Sequence, residues 1–304
     1  MQLSPSDPPS RVLHITQPVD GGVARVVTDL VRAQLADGLR VAVACPDGPL
    51  APALRALGAD VRLWAATRSP GPALVSEVRA RWTVIPNGVD AGRFHPAAVD
   101  TVRAGIPLLA GVDPAAPLVV CVGRLCRQKG QDVLLAAWDA VLRQVPGARL
   151  VLVGDGPEGE RLRALAPESV LFAGGVTDAV PWYQAADLVV LPSRWEGMAL
   201  APLEAMACGR PVVLSDVDGA RESLPPGQEP VPVEDPAALA GAVARLLRDP
   251  LLRESLGHQG RHHVLTTHDV RHTNEAVADV YRELLGGTDG RRGKATECRE
   301  SIHT

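Results

Sequence analysis

Residues 191–213 read LPSRWEGMALAPLEAMACGRPVV, and this stretch decides the fold. An apolar run of strand type, VVLPS, leads into it, and a second, PVVLS, closes it; the text between them has the composition of a short helix. Pro202 suits a first helical turn and Gly209 suits the residue just beyond a helix end, so a helix is expected over 202–208. Strand, helix and strand in that order belong to a parallel sheet. Glu196 in the loop and Glu204 in the expected first helical turn then lie near the C-terminal edge of that sheet, where open α/β folds take their ligands.

Working outward, the second half of the chain alternates in the same way. Strands are expected at 118–122, 149–153, 170–173, 188–191 and 211–215, and helices at 131–142, 158–165, 180–185 and 236–247. That is a full doubly wound domain. The first half begins likewise, with a strand at 11–16, the glycine pair Gly21-Gly22, an amphipathic helix stopping at Gly38, a strand at 39–44, a helix at 50–57 ending on Gly58, and a strand at 60–63. A further helix starts in ALVSEVRA, 73–80, but the text then turns abruptly into WTVIPNGVD, a strand running into an Asn-Gly turn. The first domain therefore stops after about half the strands that a self-sufficient domain of roughly 100–150 residues supplies. The expected division is a shortened Rossmann-like domain over 1–88, a second one over 89–268, a helix within 269–285 that is clearest at 274–285, and a solvated tail over 286–304.

Composition narrows the function. With 304 residues, 46% of them hydrophobic, 22% charged and a net charge of −4, the chain reads as a soluble globular protein without a broad cationic surface for nucleic acid. The leader MQLSPSDPPS is polar, and no run approaches the roughly 18 apolar residues of a membrane span, so a cytoplasmic location is expected, with peripheral membrane association left open. Five scattered cysteines fit reduced thiols, and their spacing does not suit zinc.

Six features carry candidate chemistry. The loop GRLCRQKG, after the first strand of the second domain, puts Gly123, Arg124, Lys129 and Gly130 at the sheet edge; two cations there suit a diphosphate, and two solvated side chains are the plain alternative. Gly21-Gly22 opens a helix whose N-terminus can approach an anion, while a simple turn explains it equally well, and Arg25 one turn on is either ligand or surface. Gly154-x-Gly156-x-x-Gly159 matches the dinucleotide fingerprint in outline. However, Asp155, Glu158 and Glu160 put negative charge where a pyrophosphate would sit and Pro157 removes a donor. Asp216-x-Asp218 before Gly219, and the histidines at 262, 263, 268 and 272, read more simply as a turn and a polar helical face than as metal ligands. Glu196 and Glu204 are acceptors for vicinal hydroxyls, as of a sugar and a ribose; a helix-dipole partner is the alternative for Glu204.

Taken together these motifs resemble the retaining glycosyltransferases of family 4, which have the two-domain GT-B fold. The strongest match is EGMALAPLE, 196–204, the family's E-x7-E element, followed by AMACGRPVV; GRLCRQKG, IPNGVDAGRFHP, VGDGPEGERL and GGVARVV match further family elements. The resemblance implies that Arg124 and Lys129, beside Gly123, neutralise a leaving diphosphate, that Glu204 holds the ribose, and that Glu196 with Gly197, Met198, Ala199 and Leu200 holds the donor sugar. It further implies that Gly21 and Gly22 face the donor from the other domain, that the main chain near Val176 faces the base, and that no metal or other cofactor is needed. The partners it implies are a nucleotide-diphosphate sugar and an acceptor (lipid, sugar or small molecule) that the motifs do not name. The family carries several more β-α units, with an acceptor-side histidine, where this chain passes from 76–81 straight to Trp82; an internal deletion near Val78 to Arg81 is expected to impair acceptor binding. A non-catalytic nucleotide-sugar binding protein and a GT-B-fold sugar-nucleotide epimerase are the competing readings, with an oxidoreductase on the 154–159 loop last.

Overall fold

The computed structural model describes residues 11–16, 18–63 and 84–284. The expected helix at 73–80, the junction near 78–81, the leader and the tail at 286–304 lie outside them.

The first unit holds three parallel strands in the order β1 (Arg11–Ile15), β2 (Arg40–Cys45), β3 (Asp60–Leu63). Helices α1 (Gly21–Ala36) and α2 (Leu50–Leu57) close one face, burying Val31, Leu50 and Leu54 on Val41, Val43 and Cys45. Parallel strands ordinarily need cover on both faces. On the opposite face of β1, Leu13 and Ile15 remain 61% and 65% exposed. Register explains the split: Val12 and His14 pair with the covered Val41 and Val43, while Leu13 and Ile15 pair with Ala42 and Ala44 of the open face.

A short helix, α3 (Val99–Ala104), leads into the second unit. Its five parallel strands are β4 (Leu118–Val122), β5 (Arg149–Val153), β6 (Val170–Gly174), β7 (Leu188–Leu191) and β8 (Val212–Leu214), in the order β6-β5-β4-β7-β8. The intervening helices are α4 (Gln131–Gln144), α5 (Gly159–Leu165), α6 (Val180–Ala185), α7 (Leu200–Ala207), α8 (Ala220–Ser223) and α9 (Pro236–Arg248). Alternation along the strands feeds two cores. Val119, Cys121, Leu150 and Val190 pack with Trp138 of α4 and Val243 of α9. Leu118, Val120, Val153 and Val189 pack with Tyr183 of α6 and Leu203 of α7. Chain order reverses at β4, so the loops after β4 and β7 open a crevice at the C-terminal edge.

Three expectations need correction. Helix α7 starts at Leu200, not Pro202, so Glu204 stands in the second turn and its first-turn dipole reading falls away. Residues 250–267, of which only the histidine stretch from 262 was read as a helical face, form α10 (Pro250–Thr267). Its stop and start signals are ordinary: Asp249 accepts from Leu252 N at 2.9 Å and Pro250 fills the first position. Its apolar stripe is missing because it packs through glycines. A Cβ on Gly257 would stand 2.3 Å from the Gly209 carbonyl oxygen, and one on Gly260 2.8 Å from Met206 Cγ. The last helix, α11 (Val270–Leu284), begins a turn earlier than 274 and returns to the first unit, where Gln34 Nε2 donates to Tyr281 Oη at 3.3 Å.

Trp138 is fully buried and its indole N–H donates to Ser169 Oγ at 2.9 Å, joining α4 to the loop before β6. Trp138→Phe strands that buried hydroxyl and is expected to cost about 1–3 kcal/mol. Trp138→Ala, which also opens a cavity, is expected to cost about 3–5 kcal/mol, read as a lowered urea midpoint of the second unit's transition.

Candidate functional site

Three loops meet at the C-terminal edge of the second sheet. The loop after β4 carries Gly123, Arg124 and Lys129 and enters α4 through a 3-10 turn, Arg127–Lys129, that ends at Gly130. Gly130 has φ +65°, and a Cβ there would stand 1.9 Å from the carbonyl oxygen of Pro192. Only glycine lets this turn lie on the loop after β7. At that loop's other end Gly219, φ +73°, is pressed on Gly197; its Cβ would fall 1.9 Å from the Gly197 carbonyl oxygen. The loop carrying Glu196 is thus seated between two neighbouring backbones.

This seating brings Lys129 to Glu196. Lys129 Nζ meets Glu196 Oε1 at 2.5 Å, its stem passing Gly123. Ser193 Oγ donates to the same oxygen at 2.8 Å, and Gln128 Nε2 donates to the Trp195 carbonyl at 3.0 Å. Asn87, in the connection between the units, donates from Nδ2 to the Met198 carbonyl at 2.8 Å. The other carboxylate, Glu204, is 4% exposed and stands one face of α7 away. Tyr183 Oη donates to Glu204 Oε2 at 2.7 Å, and Arg25 of α1 forms an ion pair with Oε1. Burial pushes the Tyr183 phenol up, so it stays a donor.

The first unit faces this edge through the start of α1. Gly21 takes φ +68°, and the Gly22 α-carbon approaches Leu200, whose Cδ1 would lie 3.5 Å from an added Cβ. Ala199 is the residue before α7. Arg124 is exposed, its carbonyl accepting from Gln131 Nε2 at 3.0 Å, and among the described residues its guanidinium forms no ion pair. Val176, in the loop after β6, is 37% exposed. The Gly154 turn packs on the loop after β4, where a Cβ would stand 2.1 Å from the Gly123 carbonyl oxygen; its glycine serves that contact. Asp216 pairs with Arg221 at 2.7 Å. Among the described residues no group of three or more histidines, cysteines or carboxylates is arranged to hold a metal ion. Cys45, Cys121 and Cys208 are buried, and burial pushes the last two thiols up to about 12; Cys126, between Arg124 and Lys129, is half-buried.

Sequence reasoning missed Arg194. It forks onto Asp132 at the start of α4, Nη1 to Oδ1 at 2.9 Å and Nη2 to Oδ2 at 3.1 Å, and also bonds the Arg127 carbonyl at 2.9 Å. It clamps the Glu196 loop onto the Lys129 loop. Nothing in sequence spacing links residues 62 positions apart, so only the fold reveals the pair.

Two parallel α/β sheets apposed over a ligand edge define the two-domain GT-B class. Residues 116–249 match the family model "Glycosyl transferases group 1", so the chain carries a glycosyltransferase group 1 domain. A lipopolysaccharide core biosynthesis mannosyltransferase of Rhizobium leguminosarum bv. viciae is 35% identical over 218 residues, which are 67% of this chain and 60% of that protein. A GDP-mannose-dependent alpha-(1-6)-phosphatidylinositol monomannoside mannosyltransferase of Mycolicibacterium smegmatis is 36% identical over 219 residues, 67% of this chain and 56% of that protein. The chain therefore spans about three-fifths of these relatives' length. Among solved structures, Anabaena HepE in complex with UDP and glucose superposes with a TM-score of 0.72 at 18% identity, covering 88% of this chain and 98% of that one. The architecture is GT-B, with a partial first unit.

The Arg194 fork holds the Asp132 carboxyl below its usual range, with burial opposing. Because the folded pKa is depressed, this stabilisation is present above the unfolded value of about 3.9 and is lost as pH falls through the lower folded value. Asp132→Asn is expected to lower the unfolding midpoint at pH 7, with the gap from the parent closing below about pH 4.

Proposed function

We propose that the chain binds a nucleotide-diphosphate sugar in the crevice between its units and belongs to the retaining family 4 transferases, passing the glycosyl group to a hydroxyl acceptor. The observation that carries this is the pairing of Lys129 with Glu196 beside Gly123, with the buried Glu204 on the helix whose Leu200 meets Gly22. Departure of a nucleoside diphosphate leaves negative charge on its phosphates, and a pre-placed lysine and arginine stabilise that charge without a metal ion. Lys129 and Arg124 take that role. Arg124, without an ion pair among the described residues, meets the phosphates first; Lys129 must share its charge between Glu196 and the donor. Glu196 with the backbone of Gly197, Met198, Ala199 and Leu200 receives the sugar hydroxyls, Glu204 the ribose, the main chain near Val176 the base, and Gly21-Gly22 the donor from the facing unit. UDP and glucose bound by Anabaena HepE, and the GDP-mannose dependence in the mycobacterial relative's name, support a nucleotide-sugar donor without choosing the base.

A second reading, a protein that keeps donor binding and has lost efficient transfer, is favoured by the open face at Leu13 and Ile15. In that reading the units missing from the first domain are those that would hold the acceptor. A cytoplasmic location accords with both readings; no helix among the described residues is long and apolar enough to cross a membrane.

Calorimetry with UDP, GDP and their glucose and mannose derivatives tests the donor reading. Lys129→Ala and Arg124→Ala are each expected to weaken diphosphate binding about tenfold to a hundredfold, less so in high salt, with EDTA without effect. Failure of the parent protein to bind either diphosphate overturns the reading.

Glu196→Ala and Gly219→Ala separate sugar from nucleotide. Both are expected to weaken binding of the nucleotide sugar about tenfold; Gly219→Ala is expected to leave the nucleoside diphosphate within about twofold, while Glu196→Ala, which frees Lys129 of its ion pair, is expected to bind the diphosphate no more weakly than the parent. Equal loss for both ligands argues against a sugar role for that loop.

A further inference from the structure

Arg25 has no part in the roles above, yet it crosses from one unit to the other. It lies one turn past Gly22 on α1, and its guanidinium pairs with Oε1 of Glu204 while Tyr183 Oη donates to Oε2. Oε2 thus accepts a hydrogen bond from the second unit, while Oε1 meets a cation of the first unit and takes no hydrogen bond of its own. A carboxylate offers about four lone-pair sites, so at least one remains on each oxygen, enough for a vicinal diol.

The surroundings hold Arg25 in that place. Its guanidinium lies 5.7 Å from the centre of the Phe94 ring, and Phe94 meets Tyr183 edge to face at 6.1 Å. Other cations of the same cavity are already engaged: Arg32 pairs with Asp29 at 2.5 Å and Arg93 with Asp178 at 2.9 Å. Among the described residues Arg25 is the cation that meets Glu204. The remaining titratable groups near it are Asp90, which lines the same cavity, and Cys208 at the end of α7.

A carboxylate buried without a cation is driven toward its neutral acid. The acid presents a hydroxyl donor where the two ribose hydroxyls need acceptors. We propose that Arg25 of the first unit is a positioning residue of the ribose subsite, keeping Glu204 an ionised and oriented double acceptor for the 2′- and 3′-hydroxyls. The inference rests on the nucleotide-sugar reading. It adds that ribose recognition by the second unit depends on contact with the first, so the two units sense the nucleoside together.

The test compares UDP and GDP with their 2′,3′-dideoxy forms, by calorimetry between pH 5.5 and 9, on the parent chain, Arg25→Met and Arg25→Lys. The parent is expected to prefer the ribo form of whichever diphosphate it binds by about tenfold or more, with little change between pH 6 and 8. Arg25→Met is expected to lose most of that preference at pH 7, chiefly through weaker ribo binding. Arg25→Lys is expected to restore most of it at pH 7. A ribo preference unchanged in Arg25→Met at every pH overturns the proposal and leaves the donor reading standing, as does an equal loss for ribo and dideoxy forms, which would mark a general effect on the diphosphate. A parent that binds neither diphosphate overturns both.

Discussion

The loop that carries Glu196 is fixed by two places where backbone rests on backbone. Gly130 meets the Pro192 carbonyl at one end and Gly219 meets the Gly197 carbonyl at the other, each so closely that a single methyl group has no room. Main-chain contacts of this kind depend little on side-chain rotamers, so they set a position within a few tenths of an ångström. The Arg194 fork onto Asp132 and the Asn87 amide on the Met198 carbonyl add directional bonds to the same loop. Lys129 and Glu196 meet because both ends of the loop have nowhere else to go.

A division of labour follows between the units. The second is covered on both faces and carries its own two cores, so its edge loops stand on a rigid base. The first contributes little hydrophobic cover to that edge; it offers the Gly22 approach to Leu200 and the charge of Arg25. The joint between them is built from main chain: Val89 N donates to the His268 carbonyl at 2.8 Å, and Val270 N donates to the Val89 carbonyl at 3.0 Å. The segment between the units is therefore anchored where α10 ends and α11 begins.

Much of this was legible in the amino-acid text, for local reasons. Strands such as 118–122 and 188–191 are buried on both faces and read as unbroken apolar runs, and Gly58 and Gly209 mark helix ends that the structure keeps. At the Gly154 turn the acidic neighbours were legible in the text, while the close approach of the glycine to Gly123 is seen only in the fold. What escaped depends on partners far away in sequence. Helix α10 hid its buried face in Gly257 and Gly260, which carry no hydrophobic signal. Arg194 and Asp132 look like surface charges until the fold supplies their partners, and Arg25, open in the text to either a ligand or a surface reading, meets its carboxylate only in the fold.

The cysteines have a practical consequence. Three described thiols are buried, with Cys121 and Cys208 held protonated up to about 12. Cys126 is partly open to solvent, between Arg124 and Lys129. An electrophilic dye would thus find an attachment point on the β4 loop, and with Cys298, which lies outside the described residues, replaced by serine, its fluorescence would report occupancy of the crevice.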